Sequence, residues 1–158
     1  PYFLTCQRFR RAAGQGRDYL ALWTMEKPEA LKTPEYLSQW GFSEWTPLIT
    51  DWSRDLFDAR PAPETAFAVA QTGALKTISF DGMSADEARR ESAALAQSDP
   101  EVIWIPVAGL DRHTPLIGLR ALPDATAMGT TSAPAKDGVQ QALYRPISAL
   151  HSAPRDAA

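Results

Sequence analysis

Phe3-Leu-Thr-Cys-Gln-Arg-Phe-Arg10, Ala13-Gly-Gln-Gly16 and Asp18-Tyr-Leu-Ala-Leu-Trp-Thr-Met25 follow one another at the head of the chain, and their reading decides the fold. The first run mixes β-branched, aromatic and long side chains without helical spacing, the second supplies a glycine turn, and the third is apolar and of strand length. Together they predict a β-hairpin. Two-residue alternation puts Cys6, Arg8 and Arg10 on one face of the first strand and Phe3, Thr5, Gln7 and Phe9 on the other. The second strand is apolar on both faces, Leu20 and Leu22 against Tyr19, Ala21 and Trp23. That predicts a strand covered on both sides and central in its sheet.

Beyond the hairpin, Thr33 is placed to cap a helix over Pro34-Glu-Tyr-Leu-Ser-Gln-Trp40, with Pro34 at its first position. Gly41 breaks it. Ser43-Glu-Trp-Thr-Pro47 then restarts a helix in which Trp45, Leu48, Ile49, Trp52 and Leu56 recur at three- and four-residue intervals. The first sixty residues thus hold four of the five tryptophans, which either pack a surface or line a ligand pocket. Arg60-Pro-Ala-Pro63 is a stiff connector.

A second unit opens with a long or bulged strand, Thr65 to Phe80, with Gly73 as its irregularity. Ser84 and Glu87 form a capping-box pattern ahead of an alanine-rich helix from Ala85 to Gln97, stopped by Asp99-Pro100. Val102 to Val107 reads as a strand whose Pro106 implies an edge or a bulge, and a turn at 110–115 leads into the strand Leu116 to Leu122. Pro123 to Gly138 reads as a mobile loop, and Val139 to Ser148 as a last strand. The order β-α-β-β followed by a late strand is that of a split β-α-β unit whose second helix is replaced by a loop. Three divisions follow: an incomplete half over 1–60, a second half over 65–148 and a disordered tail over 149–158.

A chain of 158 residues buries roughly 70% of its unfolded surface, so neither disulfides nor structural metal are needed. The formal net charge of −3 and a pI near 5.4 remove the broad attraction that nucleic-acid binders use. One cysteine and two histidines exclude Cys-rich zinc sites and internal disulfides. No apolar run reaches the ~20 residues of a membrane span, and no basic region precedes a leader-like apolar core. A cytoplasmic protein without membrane or nucleic-acid partners is expected.

The sequence Arg8-Phe9-Arg10, the turn Gly14 to Gly16 and the strand Tyr19 to Leu22 together resemble the EthD-like branch of the dimeric α+β barrel superfamily. The resemblance covers the first sixty residues best and the β-α-β-β unit more loosely. It implies an α+β fold, a dimeric α+β barrel built from two ferredoxin-like halves, with the N-terminal half lacking its first strand and helix in this chain. Such families often carry a Glu-His segment in the helix before the Arg-Phe-Arg strand, which has no counterpart here. The expectation is a homodimer completed by roughly 30 to 40 further residues, carried ahead of Pro1 or on a second chain. The superfamily is common in the breakdown of aromatic compounds, and similar proteins include isomerases acting on ring-cleavage products.

Such a substrate is a small carboxylated enol or dienoate, whose pocket needs arginines to clamp carboxylates and one weak acid or base to move a proton. Arg8, Arg10, Arg120 and Arg145 are the candidate substrate-binding residues. Arg120 interrupts an apolar run, which marks either a site or a structural ion pair. Tyr144 and His113 are the candidate catalytic residues. The tyrosine suits proton transfer if Arg145 or Arg120 depresses its pKa, and otherwise it is amphipathic packing. His113 titrates near neutrality at a strand end, and is otherwise an exposed loop residue. Without a metal-ligand spacing or a glycine-rich phosphate cradle, the expectation is a cofactor-independent isomerase or tautomerase. The alternative is a non-catalytic ligand-binding or accessory subunit of the same barrel type. Side-by-side placement of Arg120 and Tyr144 in a polar cavity distinguishes the enzyme from the binder.

Overall fold

The computed structural model describes residues 2–39, 41, 43–60, 62–63, 65–124 and 136–153. The opening hairpin is present: β1 (Phe3–Gly14) pairs antiparallel with β2 (Tyr19–Met25), with Phe9 opposite Leu20 and Arg8 opposite Ala21. Gly14 takes φ +82° at the turn, where a Cβ would stand 2.1 Å from the Gln141 carbonyl oxygen. Only glycine admits both that dihedral and that approach.

From Met25 the chain passes through a 3-10 turn (Pro28–Lys32) into the short helix α1 (Pro34–Gln39). Thr33 caps α1 as its hydroxyl accepts from the Tyr36 amide at 3.2 Å. The second helix expected after Gly41 does not form. A 3-10 turn (Ser43–Leu48) with Pro47 inside it is followed by irregular chain, and Asp51 takes φ +51°. Pro47 lacks the amide and its ring obstructs the preceding turn, so an α-helix cannot propagate there. The aromatic face therefore does not assemble: Leu48 is 70% exposed and Ile49 and Trp52 are each 41% exposed. Trp40 and the side chain of Trp45 lie outside the described residues.

β3 (Asp55–Phe57) and β4 (Ala74–Phe80) flank a segment expected to be strand. Residues 65–67 and 71–72 instead form turns, closed by backbone bonds from Ala68 to Thr65 (3.0 Å) and from Gly73 to Ala70 (2.8 Å), and between them the Gln7 side-chain amide holds Val69 at both its N–H (3.0 Å) and its carbonyl (2.7 Å). The helix α2 (Ala85–Ser98) carries the capping box expected of Ser84 and Glu87. It ends at Asp99, where Pro100 disfavours helical geometry in the residue before it. β5 (Ile103–Leu110), β6 (Leu116–Leu122) and β7 (Val139–Pro146) complete the second unit. The tail is ordered at its start: β8 (His151–Ser152) pairs with β1. Residues 154–158, and 125–135 of the loop expected between Pro123 and Gly138, lie outside the described residues.

The class is α+β. The strands run in the order β2-β1-β7-β4-β6-β5-β3, every pairing antiparallel, with β8 beside β1. β6 lies between β4 and β5, the two strands that α2 connects, so the β-α-β unit is split as the sequence order implies. Among the described residues β2 is an end strand and not a central one, with Tyr19 64% and Trp23 50% exposed.

The sheet curls. Leu22 of β2 and Phe57 of β3, from its opposite ends, pack on one cluster of Phe67, Ile105 and Leu119. That concave face continues through Phe9, Val69, Leu75, Ala142 and Tyr144. α2 seats Ala88 on the convex face against Ile78, Phe80, Val102, Leu116 and Val139.

Candidate functional site

Cross-strand register fixes which candidate side chains share a face, since directly opposed residues point the same way and neighbours in sequence point apart. Leu75 stands opposite Tyr144, whereas Lys76 stands opposite Arg120. Tyr144 is therefore concave and Arg120 convex. The pair that the proton-transfer mechanism required side by side is divided by the sheet.

Arg120 is engaged where it stands. Its guanidinium donates to Asp99 at 2.6 Å and to Glu101, while Lys76 reaches the other Asp99 oxygen at 2.8 Å. Asp99 is the C-cap of α2, so this cluster fastens the end of the helix to β4 and β6. Burial acts to raise the Asp99 pKa, but the hydrogen bonds and charges of Lys76 and Arg120 outweigh it, and the net shift is downward. A carboxylate with a depressed folded pKa stabilises fully above its unfolded value near 3.9 and loses that contribution as pH falls through the folded value. Asp99→Asn is thus expected to be less stable than wild type at pH 7, with the gap closing progressively below about pH 4. Urea titrations at a series of pH values check this, and a gap independent of pH would contradict it.

Tyr144 is buried and donates its hydroxyl to the Arg17 carbonyl at 2.8 Å. Burial raises its pKa against the opposing charges of Arg11 and Arg17. The sequence expectation assigned a lowering to Arg145 or Arg120, yet both point to the other face. The shift found is away from the range in which a phenol exchanges protons at neutral pH.

His113 lies in the β5–β6 turn, where Leu110 and Arg112 adopt φ +63° and +54°. Its backbone amide donates to Asp55 at 2.9 Å, and its ring Nδ1 is 3.7 Å from the same carboxylate oxygen. Asp111 accepts from the Arg54 amide at 2.7 Å. The strained turn latches β3 onto β5, and the half-exposed imidazole stands at that latch.

The remaining arginines do gather. Arg10 is directly opposite Arg145, and Arg8 lies two residues along the same face, all three exposed on the convex side. Arg10 lies over the Tyr19 ring, 6.0 Å from its centroid. Cys6, further along this face, has its thiol pKa raised by burial, with Arg8 acting the other way. The patch is open sheet, without walls.

Two shallow clefts lie among the described residues. One of about 320 Å³ is lined by Met83, Glu87, Arg90, Glu91, Lys136 and Asp137 with Gly82. The other, about 330 Å³, lies between 68–71 and 149–150. None of the candidate residues lines either. On the concave face Tyr144 packs in one cluster with Phe9, Val69, Leu75 and Ala142.

Gln7, Arg11, Arg17 and Asp99 organise these surroundings without having been candidates. Only Asp99 left a trace in the sequence, as a helix stop, and its two cations come from strands distant along the chain. No helix among the described residues is long and apolar enough to cross a membrane. No family model, curated protein or solved structure matches this chain.

Proposed function

We propose that this chain is a non-catalytic component of α+β barrel type, an accessory or ligand-binding unit built on two ferredoxin-like halves. The observation that carries this reading is the separation of Arg120 and Tyr144 onto opposite faces of the sheet. Proton transfer on a clamped enol needs the acid or base and the carboxylate-binding cations within reach of one small molecule. Here Arg120 is held by Asp99, and Tyr144 is held by the Arg17 carbonyl.

The barrel part of the reading is supported by strand order. β7-β4-β6-β5 is the last-first-third-second order of a ferredoxin-like half. β1 and β2, followed by α1 and β3, supply three of the four strands of another half in the same sequence of elements. The two halves also join alike: β1, second in its half, pairs with the last strand β7, and β5, second in its half, pairs with the last strand β3. The resemblance to EthD-like proteins points the same way.

An absorbance assay of tautomerisation separates this reading from the isomerase one. With a 2-hydroxy-2,4-dienoate as probe, the chain is expected to leave the buffer rate unchanged. A rate enhancement that Tyr144→Phe abolishes would restore the isomerase.

A further inference from the structure

Because every strand pairing is antiparallel, the β1–β2 hairpin, the start of β3, the β5–β6 turn, the end of β4 and the start of β7 all meet at one end of the sheet. Bonds between neighbours join them into a ring around the concave face. The Gln15 amide donates to the Gln141 carbonyl at 2.8 Å, and the Tyr144 hydroxyl donates to the Arg17 carbonyl, which fixes the hairpin to β7. Arg17 pairs at 3.1 Å with Asp51 and donates to Ser53, which ties the hairpin to the approach to β3. The Arg54 amide donates to Asp111 and the His113 amide to Asp55, which ties β3 to the β5–β6 turn. The ladders of β6, β4 and β7 complete the circuit.

Inside this ring, register sets a row of side chains across four strands. Ser79 stands opposite both Gln140 and Ile117, and Ile117 stands opposite Ile105, so the row runs Gln140, Ser79, Ile117, Ile105 from β7 to β5. Two residues along β4, Thr77 stands beside Leu119. All of these share the face of Leu75 and Tyr144, by the two-residue alternation of a strand. The floor is therefore two-sided: hydroxyls and an amide on β4 and β7, aliphatic groups on β6 and β5.

Thr77, Ser79 and Gln140 are half-buried, and none of the three side chains has a hydrogen-bond partner among the described residues. Polar groups drawn away from bulk water gain most from a bonding partner. Gly16 leaves room over the amide of Gln140, since a Cβ there, at φ +134°, would stand 3.9 Å from its Oε1 and 3.2 Å from the Tyr144 hydroxyl. No carboxylate or cation projects from this floor, and in the ring Arg17 and Asp51 neutralise each other.

We propose that this concave end binds a small uncharged molecule with an apolar body and one hydroxyl or carbonyl group. The body lies on Ile117 and Ile105, and the polar group bonds to Ser79 and Gln140. Small-molecule sites are mostly apolar with a few placed polar groups, and barrel mouths are a common place for them. A charged ligand is disfavoured, because it would lose hydration with no opposite charge to receive it. The proposal rests on the ligand-binding reading given above and names the ligand class.

The test titrates cyclohexanol, and separately cyclohexanecarboxylate, into the isotope-labelled chain while amide shifts are followed. The expected result is saturable shifts at Thr77, Ser79, Ile117, Ile105 and Gln140 with the alcohol and none there with the carboxylate. Ser79→Ala is expected to weaken alcohol binding about fivefold, the worth of one neutral hydrogen bond. Gln140→Met gives the same reading if the first variant does not fold. Shifts elsewhere, no shifts, equal binding of the carboxylate, or an affinity untouched by the substitution overturns the proposal. Turnover of the dienoate that Tyr144→Phe abolishes ends the non-catalytic reading and leaves the alcohol shifts in place. Missing shifts without turnover end the site and leave an accessory unit, so the two failures are distinguishable.

Discussion

Phe80→Ala is expected to lower the free energy of unfolding by about 3–5 kcal/mol, seen as an earlier urea midpoint at nearly unchanged slope. Phe80 has no exposed surface and ends β4 under α2, among Ile78, Ala88, Val102, Leu116 and Val139. Its ring lies 5.8 Å from that of Trp104, centroid to centroid. Truncation leaves a cavity that the surroundings cannot close, because Trp104 is already pressed against Gly118, where a Cβ would stand 2.6 Å from its ring. Domains of this size are stable by about 5–15 kcal/mol, so the variant is expected to be partly unfolded at 37 °C. A loss below about 1 kcal/mol would mean that α2 is not seated on this face.

Gln7→Leu is expected to cost about 2–6 kcal/mol, since leaving a buried donor or acceptor unpaired costs about 1–3 kcal/mol each and Val69 loses a partner for one of each. Leucine matches glutamine closely in size, so the loss isolates hydrogen bonding from packing. Gln7 is buried on the concave face of β1, where its amide serves both backbone groups of Val69, sixty-two residues along the chain. Val69 and its neighbour Phe67 fill the concave side, so the variant tests what occupies that interior. Faster amide exchange at Val69 is expected together with the lower stability. Unaltered stability would show that the segment is held by its apolar contacts alone.

Local chemistry made much of this fold legible. The opening hairpin, the Thr33 cap, the capping box at Ser84 and the split β-α-β order each follow from residues within a few positions of one another. What escaped depends on distant partners. The apolar run of β2 reads as a central strand, since sequence alone cannot distinguish a strand covered on both faces from one at the end of a sheet. The stretch from Thr65 has strand composition, but local backbone bonds close it into turns and the buried Gln7 amide takes up both backbone groups of Val69 between them. The helix expected over Trp45, Ile49 and Trp52 had the right spacing and failed at Pro47, whose missing amide outweighs periodicity.

The candidate site divides along the same line. Two-residue alternation places Arg8 and Arg10 on one face, and the β1–β7 register adds Arg145 to them. Alternation says nothing about Arg120 relative to Tyr144, because they lie on different strands and only the pairing through β4 relates them. Arg120 read equally well as a site arginine or a structural ion pair. The acidic partners Asp99 and Glu101 make it the latter.

Cross-strand nuclear Overhauser contacts in the isotope-labelled chain test the central claim most directly, that one curled sheet, ending among the described residues at β2 and β3, divides the candidate groups between its faces. The expected result is contacts across Arg10–Arg145, Lys76–Arg120 and Leu75–Tyr144, with none between β2 and β3 backbones. Contacts joining the Tyr144 ring to the Arg120 side chain, or a ladder linking β2 to β3, would contradict it.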